Sequence, residues 1–289
     1  MEWHNVTDPA GPELDRLAER YRLHQLHVED CRHRNQSAKI EEGDGYLFTV
    51  LKVMRLMPDG SLEAADLDLF FGADFLITVE EEDCPEIKKV IEQARRGPNG
   101  VQRPDQIYYR VMDHVVDSYL PILDHFDETI DALEDEALSS PAPATLSRIF
   151  ENKRALILFR RVLANTRDVA GRLQRSDSPY IARDMWPFLR DIYDHVARNL
   201  DTVEMMRDLL SGALDVYLSS VANRTNQVMK VLTVLGTVAL PALVLSGIYG
   251  MNVHGLPAAD RPHGLYVVLI LMASCTAILL YFLKRFDWF

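Results

Sequence analysis

Lys230-Val231-Leu232-Thr233-Val234-Leu235-Gly236-Thr237-Val238-Ala239-Leu240-Pro241-Ala242-Leu243-Val244-Leu245-Ser246-Gly247-Ile248-Tyr249-Gly250-Met251-Asn252 decides how the rest of the chain is read. Between Lys230 and Asp260 there is no Asp, Glu, Lys or Arg. The apolar run over 231–250 is long enough to cross a hydrocarbon layer of roughly 30 Å at about 1.5 Å per residue. It ends in a polar break, Tyr249-Gly250-Met251-Asn252, at the expected membrane surface. A second span is expected over 265–283, between His263-Gly264 and Lys284-Arg285. Lys230 before the first span and Lys284-Arg285 after the second put positive charge on one side. Both termini are therefore expected in the cytoplasm of a chain that crosses the plasma (inner) membrane twice, with the loop 251–263 outside. Tyr249, Tyr266 and Tyr281 suit the two interfaces.

Everything before this stretch is water-soluble in character. The chain has 289 residues and a formal net charge of -12, and the acids sit mainly ahead of residue 226. An acidic body argues against nucleic acid as a partner, because phosphates need a basic face. It is compatible with cations as partners, and equally with plain solubility. Cys31, Cys84 and Cys275 are isolated, so no disulfide framework is expected. The first residues, Met1-Glu2-Trp3-His4-Asn5, have neither the basic start nor the apolar stretch of a cleaved signal.

Residues 1–105 read as an α/β domain. Leu14, Leu17, Ala18 and Tyr21 predict a helix over 12–23, and 27–31 a short second one. The stretches 46–54, 67–71 and 75–79 are rich in β-formers. Pro58-Asp59-Gly60-Ser61 makes a turn in which proline presets φ and glycine takes the strained position. An amphipathic helix follows over 84–96, with Pro85 in its first turn. Strands with helices at both ends imply a helix-covered sheet.

Gly97-Pro98-Asn99-Gly100 marks the boundary, and 106–226 reads as almost wholly helical. An acidic helix (Asp124, Asp127, Glu128, Asp131, Glu134) precedes a basic one (Arg148, Lys153, Arg154, Arg160, Arg161), which suits an antiparallel pair held partly by charge. From 182 onward Leu189, Ile192, Val196, Leu200, Val203, Met206, Leu210 and Leu214 step by three or four with no stop. Stalk and first span are expected to be one helix, of order 100 Å at about 1.5 Å per residue. The third region, 227–289, is the transmembrane domain.

On the first span Gly236, Leu240, Leu243 and Gly247 share one helical face, and Leu232, Met229 and Asn226 continue it toward the cytoplasm. Small residues on a membrane helix serve close packing. In an oligomer the same stripe can line a pore whose apolar rings gate by dewetting. One hairpin cannot enclose a pore, so that reading needs several subunits. Asn252 is either a helix-end residue or a selective one. Its carbonyl oxygen can accept hydrogen bonds from the waters of an ion. Mg2+ gives up its water shell reluctantly, so a ring of amides suits the hydrated ion.

Tyr249-Gly250-Met251-Asn252, at the outer end of the first of two C-terminal spans, resembles the Gly-Met-Asn signature of the CorA-type magnesium (and cobalt) transporter family. Asn223-Arg224-x-Asn226-x-x-Met229-Lys230-Val231-Leu232-Thr233, the mid-span Pro241, Arg190-Asp191-Ile192-Tyr193-Asp194-His195 and His27-Val28-Glu29-Asp30-Cys31 extend the resemblance over nearly the whole chain. The resemblance implies a homopentamer in the lipid bilayer, with a helix-covered sheet in the cytoplasm, a long stalk continuing into a pore-lining first span, and an outer ring of second spans. It implies a selectivity filter of Gly250, Met251 and Asn252, and a pore lined by Asn226, Met229, Leu232, Gly236, Leu240, Leu243 and Gly247. It further implies that Mg2+ is both substrate and regulatory ligand, held in the cytoplasm by Asp191 and an acid of the neighbouring subunit. Within Glu80-Glu81-Glu82-Asp83 the choice falls on Asp83; the other reading of that run is a solvated helix entrance capped by Asp83. Leu243 stands where some relatives have a hydroxyl, and His254 stands near the place of a loop acid. With His263 it could favour a softer ion.

The expected function is thus import of Mg2+, and of Co2+, with closure by cytoplasmic Mg2+. A related Zn2+, Ni2+ or Co2+ transporter and a non-conducting membrane-anchored scaffold are the alternatives. No phosphate loop, metal-ligand spacing or nucleophile motif points to an enzyme.

Overall fold

Two long runs, Tyr46–Leu56 and Leu62–Gly72, are nearly continuous in apolar residues, as befits strands covered on both faces. In the computed structural model, which describes residues 1–33, 36–96, 103–175, 178–251, 256–257 and 262–286, they are the centre of a five-stranded sheet. In chain order the strands are β1 (Glu2–Val6), β2 (Lys39–Gly43), β3 (Tyr46–Leu56), β4 (Leu62–Gly72) and β5 (Phe75–Glu80). Their order in space is β1-β5-β4-β3-β2. β1 runs parallel to β5, and the other neighbours are antiparallel. The β3–β4 turn has the expected chemistry. Gly60 takes φ 82°, the left-handed region open to glycine, and Asp59 accepts from the Ser61 N–H at 2.9 Å.

Alternation sends successive side chains to opposite faces. One face carries Tyr46, Phe48, Val50, Phe70, Ile77 and Val79 under α1 (Pro12–Tyr21) and α2 (Gln25–Asp30). The other carries Leu47, Leu51, Leu67, Leu69, Phe71 and Leu76 into a larger core. That core is filled by α3 (Pro85–Arg96), α4 (Pro104–Asp117), α5 (Leu120–Ser139), α6 (Pro143–Arg175) and the first part of α7 (Trp186–Tyr249). A 3-10 turn, Arg183–Met185, leads into α7, and Pro187 sits in its first turn, where a missing N–H costs nothing. α8 is Gly264–Arg285. The charge pairing of α5 with α6 is partial: Arg148 meets Glu136 at 2.5 Å, whereas Arg160 turns to Glu204 of α7.

The chain divides into two compact units, Met1–Asp215 and Val216–Phe289. In the first, Leu189, Ile192, Val196, Leu200, Val203, Met206 and Leu210 of α7 are buried at the expected steps of three and four. In the second, the apolar side chains of α7 and α8 are mostly exposed, and both helices are long and apolar enough to cross a membrane. Stalk and first span are one helix of 64 residues, as the periodicity predicts.

Candidate functional site

The second unit carries its candidate site on α7. At about 100° per residue, Asn226, Met229, Leu232, Gly236, Leu240, Leu243 and Gly247 fall within roughly 120° of one another. All seven are exposed. Beside Gly236 and Gly247 there is open space: nothing lies within 4 Å of where a Cβ would stand. The glycines therefore do not seat α8, and the stripe is unused within the single chain.

The hydroxyls on this part of α7 are satisfied by the helix itself. Thr233 donates to the Met229 carbonyl and Thr237 to the Thr233 carbonyl, each at 2.8 Å, and Ser246 donates to the Leu243 carbonyl at 3.1 Å. Such back-bonding removes their polarity from an apolar surface. Pro241 interrupts the ladder, since it has no N–H for the carbonyl four residues earlier. At the end of the helix the Gly250 N–H donates to the Ser246 carbonyl at 2.8 Å. The Tyr249 hydroxyl donates to the Pro257 carbonyl at 2.9 Å, which ties the helix end to the following loop. Gly250 and Met251 of the expected filter are thus placed; Asn252 and His254 lie outside the described residues.

The expected regulatory acids lie in the first unit. Asp191 is on α7, its side chain 58% exposed, with His195 Nε2 3.5 Å from its Oδ1. Around it stands a group that the sequence reading missed, on α4. Burial pushes the Tyr109 hydroxyl up to about 12, and Asp113 and Asp191 add to the shift. Burial likewise raises the Asp113 carboxyl above the ordinary value, with Asp117 next in effect. Tyr109, Asp113 and Asp117 are spaced by four, so they share a helix face. That spacing was the available signal, but nothing in the sequence says that this face meets α7.

Asp83 is exposed and paired with Lys88, and its backbone carbonyl accepts from Arg55. It does not cap the helix: α3 starts at Pro85, and the Cys84 N–H donates to Glu80 Oε2 at 2.7 Å. The rest of the acidic run is built into the fold. Glu80 is buried and also accepts from Asn5 Nδ2 at 2.6 Å, Glu81 accepts from the Asp66 N–H at 2.7 Å, and Glu82 pairs with Arg55 at 2.6 Å. Among the described residues of one chain, no three His, Cys, Asp or Glu side chains form a group that could hold a metal. Asp83 and Asp191 each keep a basic neighbour instead.

The family model described as CorA-like Mg2+ transporter protein matches residues 1–285. The chain is 35% identical over 290 residues to the cobalt/magnesium transport protein CorA of Thermotoga maritima, covering 99% of this chain and 83% of that one. Its fold matches the complete structure of the CorA magnesium transporter from Methanocaldococcus jannaschii with a TM-score of 0.85, at 24% identity, covering 99% of this chain and 91% of that one. It is also 23% identical over 252 residues to the zinc transport protein ZntB of Pectobacterium carotovorum, covering 85% of this chain and 75% of that one.

Proposed function

Because the chain belongs to the CorA-like Mg2+ transporter family, a family of divalent cation transporters, we propose that it imports Mg2+, and Co2+ with it, through a pore lined by α7. The observation that carries this reading is the unused stripe on α7. Seven residues face one way, are exposed, and include two glycines with open space beside them. A homopentamer would turn five such stripes inward in the lipid bilayer, with α8 outside and both termini in the cytoplasm of a plasma (inner) membrane protein.

Each part of the stripe has a physical role. A ring of Asn252 amides at the outer mouth, held by Gly250 and Met251, accepts hydrogen bonds from the ion's own waters, so Mg2+ enters without losing its shell. Leu232, Leu240 and Leu243 form apolar rings that exclude water when the pore is narrow and admit a hydrated ion when it widens. Met229 and Asn226 lead to the cytoplasm. Entry needs no chemical fuel, since the membrane potential supplies about 2.3 kcal/mol per charge per 100 mV and the ion carries two.

Closure by cytoplasmic Mg2+ follows from the acids. The ion, bound between Asp191 of one subunit and Asp83 of its neighbour, binds the closed state better and shifts the population toward it. Asp113 and Asp117 add negative charge near Asp191 and belong to that site. Asp83 has to give up Lys88 to take part.

Likeness to a zinc transporter favours a second reading, in which Zn2+, Ni2+ or Co2+ is the cargo and His254 and His263 hold it at the mouth. Flux of Mg2+, Co2+, Ni2+ and Zn2+ into liposomes holding the purified protein separates the readings. Mg2+ and Co2+ entering ahead of Zn2+ supports the first; Zn2+ or Ni2+ alone supports the second; no flux of any ion leaves a membrane-anchored scaffold.

A further inference from the structure

Asp66 and Asp68 stand two residues apart on β4, on the face covered by α1 and α2. The charge of Asp66 is answered. Lys52, opposite it on β3, forms a buried ion pair with it. Its other oxygen accepts from the Gln36 N–H at 2.9 Å. Among the described residues no cation pairs with Asp68. Its neighbours in register are Val50 on β3 and Val79 on β5. The residue is 2% exposed, and its Oδ1 has no hydrogen-bond partner.

The groups around Asp68 deepen the imbalance. The Cys31 thiol, at the end of α2, stands close to it but donates to the His27 carbonyl at 3.2 Å. Asp66 and Asp30 face it with like charge, and Lys52 is the nearby cation, already engaged by Asp66. Asp30 is itself held by Lys39 of β2 at 2.7 Å, and Glu81 beyond β5 accepts from the Asp66 backbone. Among the described residues one ammonium thus serves two buried carboxylates. An ionised Asp68 leaves a negative charge uncompensated beneath α2, which a buried site cannot hold without cost.

We propose that Asp68 is a proton-binding site of the first unit: the protonated acid keeps the end of α2 seated on the sheet, and loss of the proton to water frees Asp30 and Cys31 from it. An open cleft of about 340 Å³, lined by Thr7, Asp8, Cys31, His33, Asp66 and Glu81, brings solvent to the edge of the cluster. Burial first, and Asp66 second, raise the Asp68 carboxyl to about 7, so the change falls at neutral pH. The acid form and a seated α2 belong to lower pH, the anion and a loosened α2 to higher pH. The inference concerns the first unit alone and holds whichever ion the second unit conducts.

Hydrogen exchange of the full-length protein in detergent tests it, read at about pH 6 and about pH 8 after correction for the chemical pH dependence of exchange. Amides of 27–33 are expected to exchange roughly tenfold faster at the higher pH, since protonation favours the closed form about tenfold more one unit below the pKa than one unit above it. Amides of α5 are expected to stay unchanged, and Asp68→Asn, which carries the neutral form permanently, to abolish the gain. No excess over 27–33, an equal excess in Asp68→Asn, or an excess spread through α5 and α6 overturns the proposal. If Asp68→Asn does not fold, the wild-type pattern decides alone: an excess confined to 27–33 supports the site, and its absence or spread removes it.

Discussion

The Gly250 N–H closes on the Ser246 carbonyl at 2.8 Å, and a Cβ on Gly250 would stand 2.9 Å from that same oxygen. The neighbour is backbone and cannot swing aside, so a side chain here has to move the end of α7. Gly250→Ala is expected to shift Met251 and Asn252, at a strain on the order of 1–3 kcal/mol. Mg2+ uptake by cells carrying the variant should fall by roughly tenfold or more, with membrane expression unchanged. Uptake at the wild-type rate would show that the helix end does not shape the mouth.

Asp191 is the acid on which closure turns. Asp191→Asn keeps its size and removes its charge, so cytoplasmic Mg2+ should lose its hold on the closed state. Limited proteolysis of the wild type is expected to slow several-fold in millimolar Mg2+, and that of the variant much less, as a lost charge partner in an ion site implies. Equal protection of both proteins rules Asp191 out as a ligand.

Lys52 and Asp66 form an ion pair in which both side chains are buried. Removing one partner strands the other, and here Asp68 stands beside it. Lys52→Ala should lower stability by about 3–5 kcal/mol, read as a fall in the thermal midpoint in detergent. At about pH 8, where Asp68 is ionised, Asp68→Asn in the same chain should recover part of that loss, because it removes one of the two stranded charges. Additive losses in the double variant would mean that the two sites are independent.

Asp68 also sets a pH dependence with a definite sign. Its folded pKa, about 7, lies above the ordinary 3.8. Between those values the folded chain holds a proton that the unfolded chain has lost, so stability falls as pH rises. The contribution is fully present below the unfolded pKa and gone above about 7. Thermal midpoints of the wild type should therefore decline more steeply from about pH 5 to about pH 7 than those of Asp68→Asn. Parallel curves would remove Asp68 as the cause.

Much of this architecture was legible where burial imposed a pattern. β3 and β4 showed as apolar runs because both faces are covered, and α7 showed as steps of three and four because one face is buried over its first part. β1 and β2 did not show. They are the edge strands of the sheet, and Glu2-Trp3-His4-Asn5-Val6 and Lys39-Ile40-Glu41-Glu42-Gly43 carry the polar residues that edges tolerate. The pore stripe was readable as a face but not as a pore, since packing and lining ask for the same small and apolar residues. Asp113 and Asp117 were hidden because Tyr109, which shares their face of α4, meets Asp191 of α7, far along the chain. The acidic run of 80–83 looked solvated, yet each member has a partner in the fold, which only tertiary structure supplies.

Mg2+ flux into liposomes, measured with wild type and Asn252→Ala side by side, tests the central claim most directly. Wild-type protein is expected to pass Mg2+ inward down its gradient, faster with the interior negative. Asn252→Ala is expected to lose most of that flux while remaining folded and oligomeric. Equal Mg2+ flux in the two proteins, or none in the wild type, contradicts a pore that selects the hydrated ion at its mouth with the Asn252 amide.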